Sequence, residues 1–124
     1  MAGYTVFRSD ELEWATPSGG NQERGIARLS DAFRNMRANI WRMPPAARGR
    51  RHREHAQEEL FVALKGTATL LLGEEREAVE LPEGSLAVVQ PGTALQLANE
   101  SDADATVLIV GAPPVEGEAE YLPD

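Results

Sequence analysis

Both histidines of the chain lie in one short stretch, Gly49 to Gly66, which reads G-R-R-H-R-E-H-A-Q-E-E-L-F-V-A-L-K-G. Arginine, imidazole and carboxylate side chains crowd together there, ahead of an apolar run and a turn glycine. Counted at strand period, Arg53, His55, Gln57 and Glu59 point to one side, followed by Phe61 and Ala63. A histidine and a carboxylate four positions apart on one face can share a metal ion or orient each other for proton transfer. On this reading His55 is the group titrating near neutrality, Glu59 orients it, and Arg53 meets an anionic group on a ligand. His55 and Glu59 are therefore the candidate catalytic residues. The pair also has a purely structural reading, because a buried carboxylate needs a partner whether or not it does chemistry.

The elements that must position these residues are short and punctuated by Gly and Pro. A β-like piece at Tyr4 to Phe7 precedes Ser9, which can cap a helical turn carrying Asp10 and Glu11. Thr16 to Gln22 reads as a loop. Between Ile26 and Met43 the pattern predicts two strands with a turn near Asp31 to Asn35. Met36, Ala38 and Ile40 alternate there against Arg37, Asn39 and Trp41, and Pro44-Pro45 ends the run before a helix could continue. Further strands are expected at Glu59–Lys65, at T-A-T-L-L-L after Gly66, and at Ala78–Leu81. Three more are expected at Ser85–Val89, Ala94–Asn99 and Thr106–Val110. Many short strands about ten residues apart, separated by turn residues, indicate an all-β sandwich or barrel.

The 124 residues suit one domain with a real core, and 42% apolar with 26% charged residues is ordinary for a globular chain. The absence of cysteine excludes disulfides, thiolate metal sites and a cysteine nucleophile. No apolar run reaches membrane-spanning length and no signal-peptide core opens the chain, so a cytoplasmic location is expected. The net charge of −8 argues against nucleic acid and anionic membranes as partners. The charge is unevenly placed: nine arginines against one acid from Arg24 to Arg53, then fifteen acids against Lys65 and Arg76 from Glu54 onward. The arginine-rich segment either holds a small anion, meets a neighbouring subunit's acids, or is a solvated loop balancing nearby carboxylates. Residues 1–25 read as an N-terminal arm, 26–112 as the barrel, and 113–124 as an acidic, flexible tail with little to bury.

His55-x-x-x-Glu59, six residues and then Gly66, is similar to the second half of the first cupin motif. Gly84 to Asn99, G-S-L-A-V-V-Q-P-G-T-A-L-Q-L-A-N, resembles the second, with its Pro-Gly turn and terminal Asn. The resemblance covers roughly residues 36 to 112 and implies a jelly-roll β-barrel. It also implies a metal centre of two histidines one residue apart, a glutamate, and a histidine from the second motif. Arg53 and Leu95 stand at the first and last of those places, and neither can ligate. The expectation is therefore no conventional metal or other cofactor, and a barrel interior suited to a small, partly apolar organic molecule. Arg53, Gln57, Phe61, Leu95 and Leu97 would bind it. An alternative is a degenerate metalloenzyme of dioxygenase or isomerase type, in which a β-bulge near Glu54 brings His52 to join His55 and Glu59. Metal-free sugar epimerases of the superfamily pair a histidine base with an aromatic acid, but the only tyrosines, Tyr4 and Tyr121, lie far from the motifs in sequence. A non-enzymatic sensor or assembly subunit is the third reading. The family's habit of pairing through its sheets implies a homodimer.

Overall fold

The computed structural model describes residues 3–19, 23–115 and 117–124. Ten strands form in chain order: β1 (Gly25–Arg28), β2 (Arg37–Met43), β3 (His52–Glu54), β4 (Glu58–Lys65) and β5 (Ala68–Leu72), then β6 (Glu77–Leu81), β7 (Leu86–Val89), β8 (Leu95–Ala98), β9 (Ala105–Ala112) and β10 (Ala119–Tyr121). They build two five-stranded sheets, ordered β1-β2-β9-β4-β7 and β10-β3-β8-β5-β6, with every pairing antiparallel. This is the all-β jelly-roll sandwich expected from the sequence. No helix of the described residues is long and apolar enough to cross a membrane.

Inward-facing residues of both sheets meet in one core. Met43, Phe61, Ala63, Val107 and Ile109 from the first sheet pack with Ala68, Leu70, Leu81, Leu95 and Leu97 from the second. The alternation is clean along β9, where Ala105, Val107, Ile109 and Gly111 are buried and their neighbours are not. Gly66 turns β4 into β5 at φ +70°, and a Cβ there would strike the Asp104 carbonyl, so only glycine fits. Asn99 ties the β8 end down: its buried amide donates to the Met43 and Ala103 carbonyls and its carbonyl accepts from Ser101.

Three local expectations need correction. Tyr4 to Phe7 forms no strand and lies exposed. Ser9 sits inside a 3-10 turn, Ser9–Glu11, and no side chain caps it. The stretch 113–124, read as loose, carries β10, which pairs with β3 through Glu54, Arg53 and His52. Backbone bonds from His55 N to Glu118 O and from Leu122 N to Arg51 O extend that pairing at both ends. Interstrand bonding holds the tail where apolar burial could not.

Candidate active site

Between the open ends of the two sheets lies a cavity of about 570 Å³. Phe61, Trp41, Leu95, Leu97 and Ile109 supply apolar wall, and His52, Glu54, Gln57, Glu59 and Arg37 converge at the buried end. Of the residues singled out from the sequence, Gln57, Glu59, Phe61, Leu95 and Leu97 all line it.

His55 and Arg53 do not. His55 is half-exposed on the outside, with Nε2 2.9 Å from Glu120 Oε1. Arg53 also faces out, to Glu74 at 2.9 Å and to Glu120 at 3.7 Å. The expectation that Arg53, His55 and Glu59 share a face is thus overturned, and so is the bulge that would join His52 to His55. The cause is the bend at residues 55–56 between β3 and β4. It adds one residue to the count, so Glu54 rather than His55 turns inward beside Gln57 and Glu59. His52, two residues before Glu54, faces in with it.

His52 is held in one ring orientation. Its Nδ1 lies 3.1 Å from the Arg50 carbonyl, which can only accept, so Nδ1 carries a hydrogen. Nε2 then faces Glu54 Oε2 at 3.4 Å and Glu59 at 4.0 Å. An unprotonated Nε2 would turn its lone pair toward two carboxylates, an arrangement that calls for a cation between them. Burial lowers the His52 pKa, but the Glu54 and Arg50 hydrogen bonds and the charges of Glu59 and Glu54 outweigh it and raise the value. The hydrogen bond from His52 holds Glu54 below the ordinary carboxylate range against its own burial. Glu59 moves the other way: burial raises it, although Arg37 and His52 oppose the shift. Two neighbouring carboxylates pushed apart around one imidazole can hold and pass a proton.

Arg37 was not anticipated from the sequence. Its Nη2 donates to Glu59 Oε2 at 2.7 Å and its Nε donates to Gln57 at 2.6 Å. The contact spans two strand spacings, because Arg37 on β2 and Glu59 on β4 both register with Gly111 on the β9 between them. A Cβ on Gly111 would stand 2.8 Å from Gln57 Oε1 and 3.3 Å from the guanidinium. Glycine leaves the gap through which the ion pair forms. Tyr121 was also missed, being remote in sequence. β10 places it opposite His52, with ring centroids 6.1 Å apart, at the cavity wall.

For a metal ion, the donor set fits in kind. One donor atom each from His52, Glu54 and Glu59 lies within 4.8 Å of the others. Glu59 Oε1 is buried with no hydrogen-bond partner, and the Nδ1 bond to a carbonyl is the usual support of a ligating imidazole. Leu95, in register with His52, offers no fourth donor.

The comparisons agree with this architecture. A sugar phosphate isomerase of the cupin superfamily from Silicibacter pomeroyi is 25% identical over 87% of this chain and 75% of its own, with a TM-score of 0.72. An uncharacterised double-stranded β-helix protein from Klebsiella pneumoniae is 19% identical and covers 98% and 99%, at 0.79. A polyketide cyclase from Streptomyces resistomycificus is 15% identical and covers 97% and 82%, at 0.77. The last two are likenesses of fold alone. Among curated protein sequences nothing matches. The sequence profile described as "Cupin domain" matches residues 39–111, from within β2 into β9 and across His52, Glu54, Gln57 and Glu59, and the chain belongs to the cupin family.

Proposed function

We propose that the chain binds a small organic molecule in the cavity between its sheets, with His52, Glu54 and Glu59 as the proton-handling end. The observation that carries the reading is the cavity itself: apolar walls, room for a small molecule, and a few polar groups converging at the closed end. Arg37 and Gln57 fix Glu59, and the Arg50 carbonyl fixes His52, so the polar groups are held in place before a ligand arrives. The likeness to a sugar phosphate isomerase supports a ligand with hydroxyl groups. Ligand-observed NMR with a panel of sugars, hydroxy acids and aromatic alcohols tests it. At least one should contact the wild-type protein, and Asn39→Trp, which fills the cavity from β2, should abolish the contact while the melting curve stays cooperative. Equal contact with the filled variant would end the reading.

A second reading follows from the unpartnered Glu59 Oε1. His52, Glu54 and Glu59 would hold a divalent ion, which when bound would supply Lewis-acid polarisation of a ligand oxygen. Arg37 would then orient the Glu59 carboxylate from its other oxygen.

An apolar sheet face supports the expected homodimer. On the outer face of the first sheet, Val88, Leu60 and Val110 form one cross-strand row, ending at the buried Ala38, and Leu86, Val62, Leu108 and Ile40 form the next. Leu64, Leu86 and Val88 are exposed there. Two such faces are self-complementary, and a second copy covers both at once. Light scattering at micromolar concentration should give twice the chain mass, and Val88→Glu with Leu86→Lys should return a monomer. A wild-type monomer would contradict this.

A further inference from the structure

We propose that the molecule bound in the cavity is an organic anion, whose carboxylate or phosphate sits at the mouth between Arg34 and Arg50 while its body reaches inward. This rests on the reading of the cavity as a binding site and adds the chemical class of the ligand. Seven of the nine arginines from Arg24 to Arg53 divide by where they point. Arg48, Arg51 and Arg53 face out and pair with Glu100, Glu74 and Glu120, which is the charge-balancing role considered from the sequence. Arg24, Arg34, Arg37 and Arg50 line the cavity instead.

Their depths differ. Arg37 is committed to the buried Glu59, whereas Arg34 and Arg50 are exposed at the opening and, among the described residues, form no ion pair. The Arg50 guanidinium lies 3.5 Å above the Tyr121 ring, and that of Arg24 lies 4.7 Å above Trp41. Stacking on a ring face fixes a guanidinium while leaving its in-plane N–H edge available for a fork-shaped contact with carboxylate or phosphate. Besides the buried Glu54 and Glu59, one carboxylate, Glu118, lines the cavity. It leaves the mouth positive, whereas at the buried end Arg37 and His52 face Glu54 and Glu59 and balance them. The cavity is thus polarised, and a ligand with its charge outward and hydroxyl or carbonyl groups inward matches it at both ends.

The test uses two bodies with three head groups each: glucose, glucuronate and glucose 6-phosphate, and benzyl alcohol, benzoate and phenyl phosphate. Calorimetric titration at low salt should show at least one anion binding about tenfold or more tighter than its neutral counterpart, as expected for charge-assisted bonds to arginine. Carboxylate and phosphate arms separate the two sources of charge. In Arg34→Gln/Arg50→Gln the ratio of anion to neutral affinity should fall to about one, and added salt should shrink it in the wild type. Neutral compounds binding as tightly as their anions, or a ratio surviving in the double variant, would overturn the anion assignment and leave the cavity reading standing. Binding of no compound from either series would overturn both.

Discussion

Arg37→Met should destabilise the fold by about 3 kcal/mol, lowering the melting temperature by roughly 12 °C for a chain of this size. Methionine keeps most of the packing volume and removes only the charge and its donors. Glu59, whose side chain is 3% exposed, then loses its closest cation and Gln57 loses a donor, while Arg37 itself is only 27% exposed. Breaking one side of such a pair leaves a carboxylate unpaired in a poorly solvated place, which costs more than the pair was worth. The pH dependence identifies the cause. Glu59 already titrates above its unfolded value, because burial outweighs the pull of Arg37 and His52. The folded state therefore binds the proton more tightly than the unfolded chain, and this group's contribution falls as pH rises through its folded pKa. Without Arg37 that pKa rises further, so the deficit of the variant should be largest at high pH and should shrink as pH falls. Glu54, held low by His52, contributes in the opposite sense in both proteins: its stabilisation is present above the unfolded pKa and is lost as pH falls through the folded one. Arg37, 3.8 Å from Glu54, helps to hold it low, so the variant also loses part of that stabilisation above the unfolded pKa, and the deficit grows toward high pH from both carboxylates. Chemical denaturation across pH measures it, and adding Glu59→Gln to Arg37→Met should recover a large part of the loss. A deficit independent of pH would mean that Arg37 acts through packing alone.

How the site was legible in the sequence, and where it was not, follows from one residue of phase. Strand positions were readable because Gly66, Gly73, Gly84 and Gly92 adopt positive φ where chain direction changes, and apolar alternation fills the intervals. The inner face of β4 was readable for the same reason: Gln57, Glu59, Phe61 and Ala63 obey period two. Carrying that period back through residues 55 and 56 failed, because a chain that bends there no longer alternates, and a one-residue slip exchanges inside for outside. The signal that would have found the site was present as His52-x-Glu54, a pair two apart with Glu59 five positions beyond the second. Arg37 was placed on the right alternation, with Asn39 and Trp41, yet nothing local shows that β9 lies between it and Glu59 with a glycine at the crossing. Tyr121 depends on the same kind of long-range fact, since the partner of β10 lies some seventy residues away, at His52.

Leu95→His asks whether those three donors share a centre. Leu95 is buried and sits in register opposite His52, so an imidazole there enters the cavity next to the first one. Without metal the substitution should cost roughly 2 kcal/mol, because a buried polar ring replaces a packed aliphatic side chain without an assured partner. With metal it supplies a fourth donor to His52, Glu54 and Glu59. Losing a supporting outer group typically changes metal affinity by about ten- to a hundredfold, so gaining a direct ligand should raise zinc or manganese affinity by more than about a hundredfold. The apo-state loss should be recovered in the bound state. Metal analysis of untagged protein and competition with a fluorescent chelator measure both quantities. If Leu95→His folds and neither it nor the wild type takes up metal, the three side chains do not aim at one point, and the cation between the carboxylates is the proton on His52. If the wild type already retains close to one equivalent, the unpartnered oxygen of Glu59 is a ligand atom, and three donors suffice in a barrel whose fourth place is held by leucine.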